Sequence, residues 1–400
     1  MERWKVNLYT LWISQIISLT SFGFGLPFMP FYIQEMGVTD PATLKLYTGI
    51  LSAAPAITMA VMAPIWGMLS DRYGRKLMIQ RAMLAAVFVI GLMGMATHVW
   101  QLVILRLVQG MFTGTITASS TFVAANTPNN RLSYALGFLS SSTFIGYSLG
   151  PFLGGTVAEY FGYRISFFSG AVLMLLGFLF LTIYLKEDKS TLNPGQTGAK
   201  KVGLPYGKIL TVNIVLMLIM LFFHRITRSV FTPFIPLYIQ ESTGVLEGAA
   251  QLTGTVNGII GIMTTVAAIT ISRLGDKYNK INMISLLLAL AAVDALVLNL
   301  SHTLVSFIVF YAMMFLLIGG VEPMITSMTA EMTVPEHRGA LFGLQGLVGS
   351  LGWMVSPTMG TAVSIYFGTK SVLWIVLAML IVNTLVISVI KYKNAKDTLV

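Results

Sequence analysis

From end to end the chain alternates long apolar runs with short polar breaks. The runs fall near 8–33, 45–69, 77–96, 100–124, 133–158, 164–185, 209–239, 250–272, 282–300, 303–330, 339–364 and 371–390. Each is about as long as the roughly 20 residues that carry a helix through a bilayer core. In hydrocarbon an open strand would leave its backbone groups unpaired, so runs of this length predict helices. The pattern therefore predicts an all-α membrane protein with twelve transmembrane helices. The first run follows Met1-Glu2-Arg3-Trp4-Lys5 and exceeds a signal-peptide core. No small-residue cleavage pattern follows it, so it is expected to remain as the first helix.

Composition supports the pattern. Of 400 residues, 56% are hydrophobic and 10% are charged, against about 25% charged in soluble domains. Soluble enzymes, nucleic-acid readers and disordered scaffolds are thereby excluded. The net charge of +10 raises the question of an acidic partner, and the positions of the basic residues answer it. Nineteen of the 25 Lys and Arg fall on the side of the amino terminus, and only Lys45, Arg164 and Lys370 on the other. Arg106, Arg225 and Arg228 lie inside apolar runs. Under the positive-inside rule this places both termini in the cytoplasm, and no nucleic-acid partner is required. The absence of cysteine excludes disulfides, thiolate metal sites and a cysteine nucleophile; no metal or cofactor is expected.

The longest polar stretch, 186–208, divides the runs six and six. It predicts an N-terminal six-helix bundle over 1–185, a cytoplasmic linker over 186–208 and a C-terminal six-helix bundle over 209–400. The two halves repeat each other at a shift of about 206. Pro27-Phe28-Met29-Pro30-Phe31-Tyr32-Ile33-Gln34-Glu35 matches Pro233-Phe234-Ile235-Pro236-Leu237-Tyr238-Ile239-Gln240-Glu241 at seven of nine positions. Asp71-Arg72-Tyr73 recurs as Asp276-Lys277-Tyr278. Gly146, Pro151, Gly154 and Tyr160-Phe161-Gly162 recur as Gly352, Pro357, Gly360 and Tyr366-Phe367-Gly368. A parallel repeat of this kind predicts pseudo-symmetric bundles with a ligand site at their interface.

Three motifs carry a family resemblance. Gly67-Met68-Leu69-Ser70-Asp71-Arg72-Tyr73-Gly74-Arg75-Lys76 resembles the loop signature G-x-L-x-D-R-x-G-R-K of the major facilitator superfamily. Gly67 would permit close helix approach, and Asp71 would accept from the amides opening a helix of the other half. Arg72 and Arg75 would hold the loop at the cytoplasmic face. Arg106-Leu107-Val108-Gln109-Gly110 resembles the family's R-x-x-Q-G signature. Gly146-Tyr147-Ser148-Leu149-Gly150-Pro151-Phe152-Leu153-Gly154-Gly155 resembles the antiporter string G-x-x-x-G-P-x-x-G-G. Gly146, Gly150 and Gly154 form a flat stripe for a neighbouring helix, and Pro151 removes a backbone bond. Together these resemble the twelve-span drug:proton antiporters of bacterial multidrug efflux. The resemblance implies a monomeric, multi-pass protein of the bacterial cytoplasmic membrane that exports amphipathic small molecules by alternating access coupled to proton entry. No Walker-type loop occurs, so ATP hydrolysis is not the expected energy source.

Six ionisable residues lie well inside the runs: Arg106, His224, Arg225, Arg228, Asp294 and Glu322. Each costs at least about 2.5–3.5 kcal/mol at a bilayer centre, so partners or a wet cavity are expected. Glu322, beside Pro323, is the leading proton carrier, followed by Asp294 and then His224, with Arg106 also in the coupling set. Arg225, Arg228, Arg106 and Glu322 are candidate substrate contacts. Either carboxylate could simply be neutralised by an arginine. With His224 neutral these groups sum to +1, which favours a zwitterionic or anionic amphiphile over a lipophilic cation. Two readings of a transporter stay open: a broad drug exporter, and a dedicated exporter of an endogenous molecule such as a siderophore, metallophore or lysolipid. A receptor or enzyme on the same scaffold finds no catalytic constellation in the sequence.

Overall fold

A computed structural model of the chain describes residues 2–128, 131–187, 210–275, 277–334 and 338–397. Among these the secondary structure is helical, with no strand. The helices are α1 (Arg3–Gly25), α2 (Met29–Glu35), α3 (Pro41–Tyr73), α4 (Arg75–Met95), α5 (Val99–Phe112), α6 (Thr115–Asn126), α7 (Leu132–Phe161) and α8 (Tyr163–Tyr184). There follow α9 (Val212–Ser229), α10 (Ile235–Thr243), α11 (Ala249–Gly275), α12 (Lys280–Leu300), α13 (Leu304–Ile318), α14 (Val321–Glu331), α15 (Arg338–Phe367) and α16 (Val372–Asp397).

Every apolar run coincides with a helical stretch. Ten stretches among the described residues are long and apolar enough to cross a membrane, not the twelve expected. The other two long helices, α7 and α15, reach 30 residues but are rich in glycine and serine, which lowers their apolarity. Polar caps start several helices. Asp40 accepts from the Thr43 amide at 2.8 Å with Pro41 at the first helical position, satisfying donors that the helix itself leaves orphaned. The Thr43 hydroxyl and amide hold the Asp40 carboxyl below the usual aspartate range.

The repeat extends to the interruptions. The 3₁₀ turn Leu26–Phe28 between α1 and α2 recurs as Thr232–Phe234 between α9 and α10. The break between α5 and α6 at Thr113–Gly114 recurs between α13 and α14 at Gly319–Gly320. Gly162 and Gly368 end α7 and α15 at φ +85° and +90°, backbone that a residue with a Cβ rarely adopts.

The chain divides into two compact units, Met1–Ala199 with Ile239–Gly261, and Lys200–Tyr238 with Ile262–Val400. In unit 1, α1 packs against α7 and α8, and α4 against α8. Its second segment is tied in by reciprocal amide bonds of Gln34 and Gln240 at 2.8 and 2.9 Å. The Gly248 amide also donates to Glu159 at 2.6 Å. In unit 2, α9 packs against α15 and α16, and α12 against α16. Phe307, Tyr311 and Phe315 run along one face of α13 with successive centroids 5.1 and 5.2 Å apart. That ladder ends beside the polar cluster of unit 2.

Candidate functional site

The cluster is built on α9 and α14. A leucine- and isoleucine-rich α9 carries His224, Arg225 and Arg228 in its last two turns. The helix broken at Gly319–Gly320 restarts as α14 with Glu322 in its first turn, where unpaired amides favour a carboxylate. The break packs tightly: a Cβ on Gly319 would lie 2.7 Å from the Ala267 side chain, and one on Gly320 2.5 Å from Ile271.

Arg225 and Arg228 both engage Glu322. The Arg225 Nη2 donates to Glu322 Oε1 in a short charge-assisted bond, and Arg228 Nη1 lies 3.5 Å from Oε2. The three side chains are 20–27% exposed, so the pairing is shielded without being sealed. The helical wheel sets Arg225 about 100° from His224, yet the long side chains converge. The Arg225 guanidinium lies 5.3 Å from the Trp353 ring centre, and that of Arg228 lies 6.0 Å from Phe315. Flat cationic groups over aromatic faces gain further attraction. His224 is fully buried, and neither ring nitrogen has a hydrogen-bond partner among the described residues.

The remaining predicted residues sit apart from this cluster. Of the two carboxylates offered to the arginines, Glu322 takes both. Asp294, on α12, is half-buried, forms no ion pair among the described residues and keeps its Oδ2 without a partner. Arg106 belongs to unit 1 and finds neutral partners: Nε donates to the Leu51 carbonyl at 2.7 Å and Nη1 to Gln109 Oε1 at 2.7 Å. The glutamine of the R-x-x-Q-G string thus holds the arginine. Its glycine admits α3, since a Cβ on Gly110 would lie 2.2 Å from the Pro55 carbonyl.

The glycine stripe of α7 is a contact seam with α1. A Cβ on Gly146 would approach Leu19 Cβ to 2.6 Å, on Gly150 the Thr20 carbonyl to 2.8 Å, and on Gly154 Phe24 Cα to 2.4 Å. Pro151 and Gly155 meet α11 of the same unit, with a Gly254 Cβ 2.3 Å from the Pro151 carbonyl. Gly67, Asp71 and Arg72 lie on the backbone of α3. Their side-chain environment falls outside the described residues, as does Asp276, the counterpart of Asp71. Gly74, at φ +99°, turns the chain from α3 into α4.

Two partners were not anticipated from sequence. Glu187, assigned to the linker, accepts from the amides of Arg75 and Lys76 at 2.9 and 3.0 Å. It thereby caps α4, and the Asn7 side-chain amide donates to the Lys186 carbonyl at 2.9 Å and accepts from the Lys186 amide at 3.1 Å. The first two linker residues are therefore anchored to unit 1. Trp353 lies four residues past Gly349 and directly after Gly352, where a Cβ would lie 2.8 Å from the Arg225 Cβ. Its position in the second copy of the glycine string was the available signal.

A multi-pass helical membrane protein, repeated in sequence and carrying a half-buried ionic cluster, belongs to the class of polytopic membrane transporters. The sequence profile of the Major Facilitator Superfamily matches residues 11–321 and 217–398, and the chain belongs to that family. It is 29% identical over 369 residues to the Multi-drug resistance efflux pump PmrA homolog of Lactococcus lactis subsp. lactis (strain IL1403), covering 92% of this chain and 90% of that one. It is 28% identical over 384 residues to Multidrug resistance protein MdtG of Proteus mirabilis (strain HI4320), covering 95% and 94%. Its fold matches a bacterial homolog of the human lysosomal transporter Spinster in an inward-facing, occupied conformation, with TM-score 0.78 and 14% identity over 98% and 97% of the chains.

Proposed function

We propose that this protein is a secondary exporter of amphipathic, drug-like small molecules in the bacterial cytoplasmic membrane, working by alternating access coupled to proton entry. The observation that carries the reading is Glu322 held between Arg225 and Arg228 inside a membrane helix pair. A carboxylate whose counter-ions lie on another helix changes its proton affinity when the helices move. The names of the relatives, both multidrug resistance proteins, support drug-like cargo. In this reading α7 and α15 also cross the bilayer, completing twelve spans in halves 1–185 and 209–400 joined by 186–208. Both termini lie in the cytoplasm, as the nineteen-to-three distribution of basic residues favours, and the protein acts as a monomer without catalytic chemistry. Gly67, Asp71, Arg72, Gly74 and Arg75 form the conformational motif, which the helices carry across the α3–α4 junction rather than as a loop, while Gly146, Gly150, Pro151 and Gly154 form the seam that moves or seals. Asp294 and His224 are the reserve proton sites, and Arg106 keeps a coupling or substrate role in unit 1.

Proteoliposomes with an imposed inward proton gradient test this. Wild type should concentrate a fluorescent drug against its gradient, and Glu322→Gln should lose uphill transport while retaining downhill exchange. Full uphill transport by Glu322→Gln would move the proton site to Asp294 or His224. The surplus positive charge of the cluster favours a second reading, a dedicated exporter of one zwitterionic or anionic metabolite. Loss of a single secreted compound from a deletion strain, with unchanged resistance to unrelated toxic compounds, would select it.

A further inference from the structure

On the reading that this protein exports by alternating access, we propose that Arg106 serves as a positioning residue: its guanidinium supplies the hydrogen bond that Pro55 removes from α3. The bond joins α3 and α5 into one moving element. Pro55 stands in the middle of α3. Lacking an N–H, it leaves the carbonyl four residues earlier, that of Leu51, without its helical donor. Leu51 is buried, and an orphaned carbonyl inside a membrane protein is costly. Arg106 Nε, reaching across from α5, donates to this same carbonyl at 2.7 Å. The rest of the R-x-x-Q-G string serves the same junction. Gln109 Oε1 accepts from Nη1 at 2.7 Å, and two bonded donors fix the plane of the guanidinium. At Gly110 a Cβ would lie 2.7 Å from Pro55 Cα and 2.1 Å from Thr58 Oγ1, so glycine lets α5 come this near the proline. Both acceptors are neutral, and the charge strengthens the bonds, charge-assisted ones being about twice as strong as neutral ones.

The second half of the chain is an internal control. Shifted by 206, Pro55, Arg106, Gln109 and Gly110 correspond to Gly261, Ala312, Phe315 and Leu316. Gly261 keeps its N–H, and α11 runs through it as an ordinary helix. Proline, arginine, glutamine and glycine are thus present together in one repeat and absent together in the other. Pro357, inside α15, frees the Trp353 carbonyl, which the Ser356 hydroxyl of the same helix approaches at 3.4 Å. That repair engages no second helix, whereas the one at Pro55 does.

Two further bonds continue the junction toward the C-terminal end of α3. The Thr58 hydroxyl donates to the Leu107 carbonyl at 2.8 Å, and the Trp66 indole to the Met111 carbonyl at 2.6 Å. The Met111 carbonyl lies in the last turn of α5, where the helix itself supplies no donor. From α4, the Arg81 guanidinium lies 3.3 Å from the centre of the Trp66 ring, a cation–π contact that holds the indole in place. The stretch of α3 beyond Pro55 carries Gly67, Asp71 and Arg72 of the conformational motif. Its direction is therefore set from α5, with Arg106 at the pivot. What the junction uses is the donor, so a protein in which Leu51 regains a helical donor no longer needs the arginine.

The test is a double-mutant cycle on the full-length protein: wild type, Arg106→Met, Pro55→Ala and Arg106→Met/Pro55→Ala. Each is read by uphill transport of a fluorescent drug in proteoliposomes, per mole of monodisperse protein, and by its thermal midpoint in detergent. With proline at 55, Arg106→Met should lower the midpoint and cut transport on the order of 10-fold. With alanine there, whose N–H donates to Leu51 along the helix, the same substitution should cost about 2-fold or less. Folding of Arg106→Met in the alanine background alone would be the same rescue. Equal losses of transport in the two backgrounds, or failure of Arg106→Met to fold in both, would overturn the assignment, because an arginine that carries a proton or meets the ligand is needed whatever stands at 55. If Pro55→Ala by itself abolishes transport, the midpoints decide by the same rule. Absence of drug transport by wild type would instead count against the export reading, and the midpoint cycle would still decide the pairing of Arg106 with Pro55.

Discussion

The α1–α7 seam of unit 1 and the α9–α15 seam of unit 2 occupy equivalent places in the repeat and are filled with different chemistry. In unit 1 a Cβ on Gly146 would meet Leu19; in unit 2 a Cβ on Gly352 would meet Arg225, the residue 206 positions later. Gly23 approaches Gly150 so closely that a Cβ there would lie 2.5 Å from its Cα. Their counterparts Ser229 and Ser356 instead share a hydrogen bond at 2.6 Å. Lower down, Gly154 receives Phe24, and Gly360 receives Val230 and Phe234. One backbone geometry thus supports an apolar, close-packed seam in the first repeat and a polar, charged seam in the second. The difference separates what the fold needs, which both seams have, from what only unit 2 has: the ionic cluster.

The largest effect is expected where the shared geometry is attacked. Gly154→Ala places a Cβ against three backbone atoms of α1 that cannot rotate aside, and overpacking of this kind costs about 1–3 kcal/mol. Loss of monodisperse protein and of transport should follow. Gly137→Ala, on the same helix with open space around it, should be neutral or stabilising by about 0.5–1 kcal/mol. Equal behaviour of the two variants in thermal unfolding would remove the seam from the argument.

Next comes the exchange of one seam's chemistry for the other's. Arg225→Leu installs the residue that unit 1 carries. Breaking a fully buried ion pair costs about 3–5 kcal/mol; with partial exposure and Arg228 still present, about 2 kcal/mol is expected. Arg225→Leu/Glu322→Gln should be more stable than Arg225→Leu alone, because the stranded carboxylate is gone. A double-mutant cycle with no coupling would show that Arg225 stabilises through packing on Trp353 alone.

The smallest effect is at the serine pair. Ser356→Ala removes the bond to Ser229 and a long one of 3.4 Å to the Trp353 carbonyl, and Ser229 keeps its bond to the Arg225 carbonyl at 2.7 Å. A loss of about 0.5 kcal/mol with unchanged transport is expected. A large transport defect in this variant would place the serines in the ligand path.

The fold was legible because the bilayer restricts the backbone to so few options. Twenty apolar residues between charged breaks leave a chain little choice but helix, and the 206-residue shift aligned equivalent segments of the two halves in the sequence itself. The interruptions were less legible. Gly319 and Gly320 look like ordinary small residues in an apolar run, and only packing against Ala267 and Ile271 reveals why the helix restarts there. The site was half legible. An acid and three basic groups in apolar runs announce themselves by their desolvation cost, yet spacing along one helix says nothing of which carboxylate stands opposite. That is why the sequence ranks Glu322 above Asp294 as a proton carrier yet leaves open which of them the arginines neutralise, whereas in the structure both arginines engage Glu322. Glu187 was hidden for a different reason, because a polar stretch reads as linker until a helix amide is seen to use it.

The close approach of Gly23 to Gly150 has a consequence for how motion is resisted. Neither residue has a rotamer to lose, so parting and rejoining these backbones changes no side-chain entropy. Remaking the Arg225–Glu322 contact confines two long side chains, each worth up to about 1.5–2 kcal/mol of rotamer freedom. Movement along the first seam therefore meets mainly an enthalpic resistance, and movement at the second carries an ordering penalty that grows with temperature.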